Sequence, residues 1–135
     1  METKIGAFFG WARGLLARSD LGRRGEDVAV RELKRLGYEI LERRWRTRIG
    51  EIDVVAREGD TVVVVEVKAR TRSDYGSPGL AVDGAKRRKL LKLARAYLGK
   101  ARNPDVSVRF DVVEVTFPPG KAPRVDVHRS AFEER

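Results

Sequence analysis

The sequence predicts a mixed α/β fold, and three features predict it: a helical stripe that ends at Gly37, three β-type runs between Tyr38 and Lys68, and a second helical stripe followed by another apolar run. At 135 residues the chain is about the size of one domain. The order is helix, three strands, helix, strand, giving a mixed central sheet flanked by helices with no internal repeat.

Residues 1–18 are expected to form a flexible amphipathic arm, with 19–135 as a single domain. The arm carries Phe8, Phe9 and Trp11, but its apolar part is short and runs into Arg13 without a cleavage pattern, unlike a signal peptide. Ser19 or Asp20 can cap a first helix that reaches Leu36 and stops at Gly37, with Ala29, Val30, Leu33 and Leu36 as its apolar stripe. Glu26 belongs to that stripe and should aim along the packing face, unless it snorkels out from the margin.

Tyr38 to Trp45 reads as a first strand and Ile49 to Ala56 as a second, turning at Arg57–Asp60 into a third from Thr61 to Lys68. Val62 to Val65 are apolar on both faces, so the third strand should be central. Ala69 to Gly79 has the composition of a mobile loop. A second helix is expected from Ala81 to Leu98, with Leu90, Leu93, Ala94 and Tyr97 at helical spacing, Lys86 on the same stripe and Gly99 as its stop. Val106 to Val115 forms a fourth strand ended by Pro118-Pro119, and Val125 to His128 can add a short edge strand.

Charge narrows the partners. With 29 Lys and Arg against 20 Asp and Glu, the net charge is +9 and the pI about 10.3. Such a chain suits a polyanion, because neutralising phosphates releases their condensed counterions. Residues 69–100 alone hold nine basic and two acidic side chains, and Arg43, Arg44, Arg46 and Arg48 form a second cluster. Cysteine is absent, which excludes disulfides, thiolate metal sites and Cys nucleophiles and fits the cytoplasm. His128 is the sole histidine, so HExxH and two-histidine chemistry are excluded and any metal must be held by oxygen. No apolar run approaches the ~20 residues of a membrane span, so stable membrane insertion is not expected.

Between the basic clusters lie Gly50-Glu51-Ile52-Asp53 and Glu66-Val67-Lys68. Strand alternation puts Glu51 and Asp53 on one face and Ile52 and Val54 on the other. A two-residue turn at Glu58-Gly59 sets Glu51 opposite Glu66; one at Gly59-Asp60 sets Asp53 opposite Glu66. In both cases Asp53, Glu66 and Lys68 share a face, within the ~4.5–8 Å of cross-strand neighbours. A three-residue loop would invert this. Acids gathered on a packed face call for a cation or for raised pKa values. Lys68 alone can be that cation, which is the plainer, structural alternative. Glu26 on the preceding helix and the basic flanks favour a metal. Glu51 either supports the site from behind or pairs with Arg48 or Arg70. Lys86 can reach a phosphate, and Arg48, Arg70, Arg72, Arg87 and Arg88 are the other candidates for nucleic-acid contact. Asp111 should anchor a structural pair with Arg109, and Tyr75 is an ordinary loop tyrosine.

One set of residues carries a resemblance: Gly25-Glu26 with Ala29, Gly37-Tyr38, Gly50 to Asp53, Val65 to Lys68 with Arg70, Lys86, and Arg109-Phe110-Asp111-Val112. Across residues 21–115 the chain resembles the YraN-like family of bacterial proteins. More broadly it resembles the PD-(D/E)XK nuclease-like superfamily, in particular the archaeal Holliday-junction resolvases. Ile52 stands where the superfamily name has proline. The resemblance implies a restriction-endonuclease-like core and a metal-dependent nuclease acting on DNA, including structured or branched DNA, as a homodimer. It implies that Asp53 and Glu66 bind Mg²⁺ or Mn²⁺. Glu26 and the Val67 backbone carbonyl would complete the metal shell, and Lys68 would handle the attacking water. Two rival functions fit the composition: a nucleic-acid-binding module of the same fold without catalysis, and a protein-interaction module for an acidic partner.

Overall fold

The computed structural model describes residues 5–71, 84–101 and 106–132, with side chains at 20–71, 84–99 and 106–131. The chain runs α1 (Ile5–Arg35), β1 (Glu39–Thr47), β2 (Gly50–Glu58), β3 (Thr61–Arg70), α2 (Gly84–Ala101), β4 (Ser107–Thr116) and β5 (Arg124–Phe132). The strands form one sheet in sequence order. Only β3 and β4 pair in parallel, because α2 carries the chain back between them, and all other pairs are antiparallel. This is the mixed α/β architecture expected from the patterning.

Three boundaries differ from expectation. Ser19 and Asp20 do not cap a helix; α1 begins at Ile5 and passes through both. Helix-forming Leu15, Leu16, Ala17 and Arg18 lead directly into Ser19, so nothing there breaks the ladder. Gly99 is likewise internal to α2. The last strand spans nine residues instead of a short edge, because it lies antiparallel along β4 from Phe110 to Thr116. Gly37 does end α1 as expected: at φ +98° it turns the chain, so that Tyr38 N–H donates to the Leu33 carbonyl at 2.9 Å and closes the helix.

The core has two halves, one on each face of the sheet. Ala29, Val30 and Leu33 of α1 pack with Val54, Ala56, Val63, Val65, Val113 and Val115. On the opposite face, Leu90, Leu93 and Ala94 of α2 pack with Ile52, Val55, Val62, Val64, Phe110 and Val112. All of Val62–Val65 are buried, which places β3 centrally as its composition requires.

One irregularity shapes the rest of the molecule. Arg43 pairs with Val54 and Trp45 with Ile52 in unbroken register, yet Val54 faces α1 while Ile52 faces α2. Residues two apart in a regular strand share a face, so the β1–β2 ribbon rotates about half a turn between these pairs. Arg44 lies at that point with φ +56°, a left-handed conformation that costs a non-glycine residue about 1–2 kcal/mol. Beyond it Trp45 packs edge-on against Tyr97 of α2, ring centroids 5.3 Å apart, a contact that helps to offset the strain. The expected alternation from Glu51 to Val54 is therefore corrected: Ile52 and Val54 lie on opposite faces.

The approach of α1 to β3 depends on Gly25. A Cβ built there would lie 2.7 Å from the Ala69 Cβ, whereas one at Gly22 meets nothing within 4 Å. Gly25→Ala is expected to destabilise the fold by about 1–3 kcal/mol through overpacking. Gly22→Ala is expected to be neutral, or to stabilise by up to about 1 kcal/mol through helix propensity. Urea unfolding midpoints of the two variants, taken side by side, check both signs.

Candidate functional site

The turn between β2 and β3 uses Gly59 and Asp60, since Glu58 pairs with Thr61. That is the register which, continued, sets Asp53 opposite Glu66. The ladder itself stops at Val54–Val65, while β3 continues on β4 as far as Arg70–Thr116. Asp53 sits where the sheet divides. Its Oδ2 accepts the Val67 N–H at 2.9 Å, so a carboxylate takes the place of the next backbone partner.

Two clefts meet at this point, and Asp53 and Glu51 line both. The larger, about 450 Å³, lies on the α2 side and also includes Glu66, Lys86 and Lys89. The smaller, about 210 Å³, is bounded by Glu26, Arg23, Arg44, Arg46 and Val67. The ribbon's half-turn explains why one residue reaches both sides: Asp53 lies between Ile52 on one face and Val54 on the other.

Asp53 is the most perturbed acid near the clefts. Its carboxyl is pushed up to about 7 from an ordinary 3.8, first by burial and then by the Glu66 carboxylate; Glu26 and Glu51 add to this, and the Val67 N–H opposes it. The protonated form of Asp53 is thus favoured well above the usual carboxylate range, and a cation would favour the charged form.

The other expected residues are placed as follows. Glu26 is buried, as its stripe position required, and accepts from Arg43 at 2.9 Å and Arg44 at 3.0 Å. Adjacent strand residues ordinarily point to opposite faces, and left-handed Arg44 is what allows both to reach one carboxylate. Glu66 lines the larger cleft and accepts from Lys86 at 2.5 Å. Lys68 is half-buried on β3, in register with Glu114 of β4. Neither expected partner of Glu51 is the observed one. It pairs at 3.2 Å with Arg46, its direct cross-strand neighbour. Arg70 turns instead to Glu114 at 3.3 Å, which also holds His128 at 3.3 Å.

Arg48 is exposed in the β1–β2 turn, and Lys86, Arg87 and Arg88 are exposed in the first turns of α2. Arg72 and Tyr75 lie outside the described residues, and the side chains of Phe8, Phe9 and Trp11 do as well. Lys89 was not singled out by sequence reasoning, although its spacing of three from Lys86 could have placed both on one helix face. The arginine partners of Glu26 had no local signal. Asp111 does pair with Arg109, at 2.9 Å, in a wider buried network that includes Tyr38 and Ser130. Burial, followed by the hydrogen bond to Asp111, pushes the Tyr38 hydroxyl up to about 12.

A hard cation fits the donors at Asp53. Among the described residues no three acidic or imidazole side chains form a ready-made metal cage. Mg²⁺ makes a smaller demand: one or two carboxylates, with waters and substrate phosphate supplying the remaining ligands. Asp53, with its raised proton affinity, and Glu66 beside it meet that demand.

Residues 25–115 match the model of the Uncharacterised protein family UPF0102. The chain is 48% identical over 118 residues to a UPF0102 protein of Geobacter metallireducens, covering 87% of this chain and 96% of that one. It is 49% identical over 112 residues to a UPF0102 protein of Parafrankia sp., covering 83% and 95%. A UPF0102 protein of Rhodococcus opacus is 44% identical over 112 residues, again covering 83% and 95%. None of these names states a ligand or a reaction. No described helix is long and apolar enough to cross a membrane.

Proposed function

The chain belongs to the uncharacterised protein family UPF0102, and from the carboxylates around Asp53 we propose that it is a Mg²⁺- or Mn²⁺-dependent nuclease that hydrolyses phosphodiester bonds in DNA. The observation that carries this reading is Asp53 itself: a half-buried acid whose carboxyl is pushed up to about 7, first by desolvation and then by Glu66, where two clefts meet beside a basic helix. On this reading the sheet and its two helices are a restriction-endonuclease-like core of the PD-(D/E)XK kind, and structured or branched DNA is the first substrate to try.

Asp53 and Glu66 would hold the ion, with the Val67 carbonyl as a further ligand. A bound Mg²⁺ or Mn²⁺ supplies charge neutralisation at the scissile phosphate and acidification of the attacking water. The chain's own groups do the rest. Lys68 orients the water and steadies the negative charge that grows on phosphorus, a role a cation fills well where water is partly excluded. Glu26, fixed by Arg43 and Arg44, adds negative potential to the ion site from the helix side. Lys89 and the exposed Arg48, Arg87 and Arg88 draw in the backbone without reading its sequence.

The test is a panel of single strands, duplexes, flaps and four-way junctions incubated in Mn²⁺ with the wild type, Glu66→Ala and Lys68→Ala. Cleavage by the wild type alone is expected, with each variant reduced by at least about 100-fold, the scale of losing one positioned catalytic group. Salt-sensitive binding with no cleavage, unchanged by Glu66→Ala, would make the protein a binding module instead.

A further inference from the structure

Lys86 stands in the first turn of α2, with Nζ donating to Glu66 Oε2 at 2.5 Å, inside the cleft that Asp53 also lines. Its side chain is 43% exposed, while that of Glu66 is 15% exposed. We propose that Lys86 is a tethered substitute for the divalent ion: it neutralises Glu66 until a metal displaces it, then takes a substrate phosphate, so that metal and nucleic acid bind cooperatively. The inference rests on reading Asp53 and Glu66 as the metal ligands.

Three observations support it. First, the ammonium occupies the acceptor that a metal would use, and two cations on one carboxylate repel strongly at that range. Second, a lysine head is a compact point charge on a flexible four-carbon stem. It can sit at the carboxylate like a small ion and swing outward without moving the helix, because its own end of the pair is 43% exposed. Third, the direction of release is already basic. Lys89 lines the same cleft one turn along, and it borders a smaller hollow with Arg88 and Lys92. A displaced Lys86 would join cations suited to a phosphate chain approaching Asp53.

Cooperativity follows from linkage. A metal that expels Lys86 frees a phosphate contact, and a phosphate that holds Lys86 outward frees Glu66 for the metal, so each ligand strengthens the other by the same factor.

The decisive measurement is calorimetric titration of Mn²⁺ into the full chain without nucleic acid, for the wild type, Lys86→Met and Lys86→Arg. Lys86→Met is expected to bind Mn²⁺ about tenfold more tightly, from removal of a neighbouring like charge, whereas Lys86→Arg stays near wild type. In parallel, Ca²⁺ should strengthen binding of a fluorescent DNA duplex several-fold more for the wild type than for Lys86→Met. Mn²⁺ affinity that is unchanged or weaker in Lys86→Met overturns the proposal. If cleavage in Mn²⁺ persists alongside that result, the nuclease reading stands and only the role of Lys86 falls. If neither protein binds Mn²⁺, both fall together.

Discussion

Asp53→Asn is expected to stabilise the fold by about 2 kcal/mol at pH 8 while abolishing metal-dependent cleavage. In the folded chain the Asp53 carboxyl titrates at about 7, against 3.8 when free. Between those values the folded state keeps a proton that the unfolded state has lost, so stability falls as pH rises from about 4 to about 7 and stays at its lower level above. Three units correspond to about 4 kcal/mol, and partial solvent access reduces this to about half. Asparagine does not ionise, and its Oδ1 can still accept the Val67 N–H. The variant should therefore match the wild type near pH 4, pull ahead through pH 5 to 7, and hold a constant lead above. Urea unfolding at several pH values measures the lead. Mn²⁺ at pH 8 should close the gap by stabilising only the wild type. A variant no more stable at pH 8 than at pH 4, relative to wild type, would mean that Asp53 carries no such strain.

The second large effect is expected at Asp111, which is 1% exposed. Its carboxylate accepts the Tyr38 hydroxyl at 2.9 Å, Arg109 Nε and Nη2 at 2.9 Å, and the Ser130 N–H at 3.0 Å. These bonds tie the link between α1 and β1, β4 and β5 together beneath one charge. Asp111→Ala takes their shared acceptor from the Tyr38 hydroxyl, the Ser130 N–H and Arg109, which keeps its Glu58 partner, and should cost about 3 kcal/mol, the lower end of the scale for breaking a buried pair from one side. That is a large part of a small domain's total stability. Asp111→Asn keeps the shape and part of the acceptor capacity, so it should recover some of the loss. Thermal and urea unfolding would report both. Because the network lies toward the Glu58 end of β2, through the 2.9 Å Arg109–Glu58 pair, any Asp111→Asn protein that folds should retain Mn²⁺ affinity.

Features with local causes were the legible ones. Glu26 was readable as an inward acid because a helical stripe needs only spacing, and Val62–Val65 as a central strand because four consecutive valines leave no polar face. The Asp53–Glu66 register followed from a two-residue turn, one of two the residues allowed. Features set by distant packing were hidden. Nothing local marks Arg44 for a left-handed backbone; just past it, Trp45 meets Tyr97 on the far side of the sheet. At the same place the alternation breaks at Ile52, two arginines reach Glu26 and Asp53 opens to both clefts. The partner of Glu51 was missed for a simpler reason: direct cross-strand proximity to Arg46 outweighs the other arginines nearby.

The parting of β2 from β3 after Val54 has a colloidal side as well. Among the described residues, it leaves the outer half of β3, from Glu66 to Arg70, as a stretch of sheet paired by strand on one side only. Unpaired strand backbone is a template on which a neighbouring molecule can add its own. Here the stretch carries Glu66, Lys68 and Arg70, and the Asp53 carboxylate already takes the Val67 N–H. Charges placed along a sheet edge and a side chain blocking its donor are the means by which β-proteins keep such edges apart. The side chains to which the proposed function gives an ion and a phosphate thus also guard this edge, and a variant stripped of Lys68 and Arg70 charge together should show concentration-dependent aggregation.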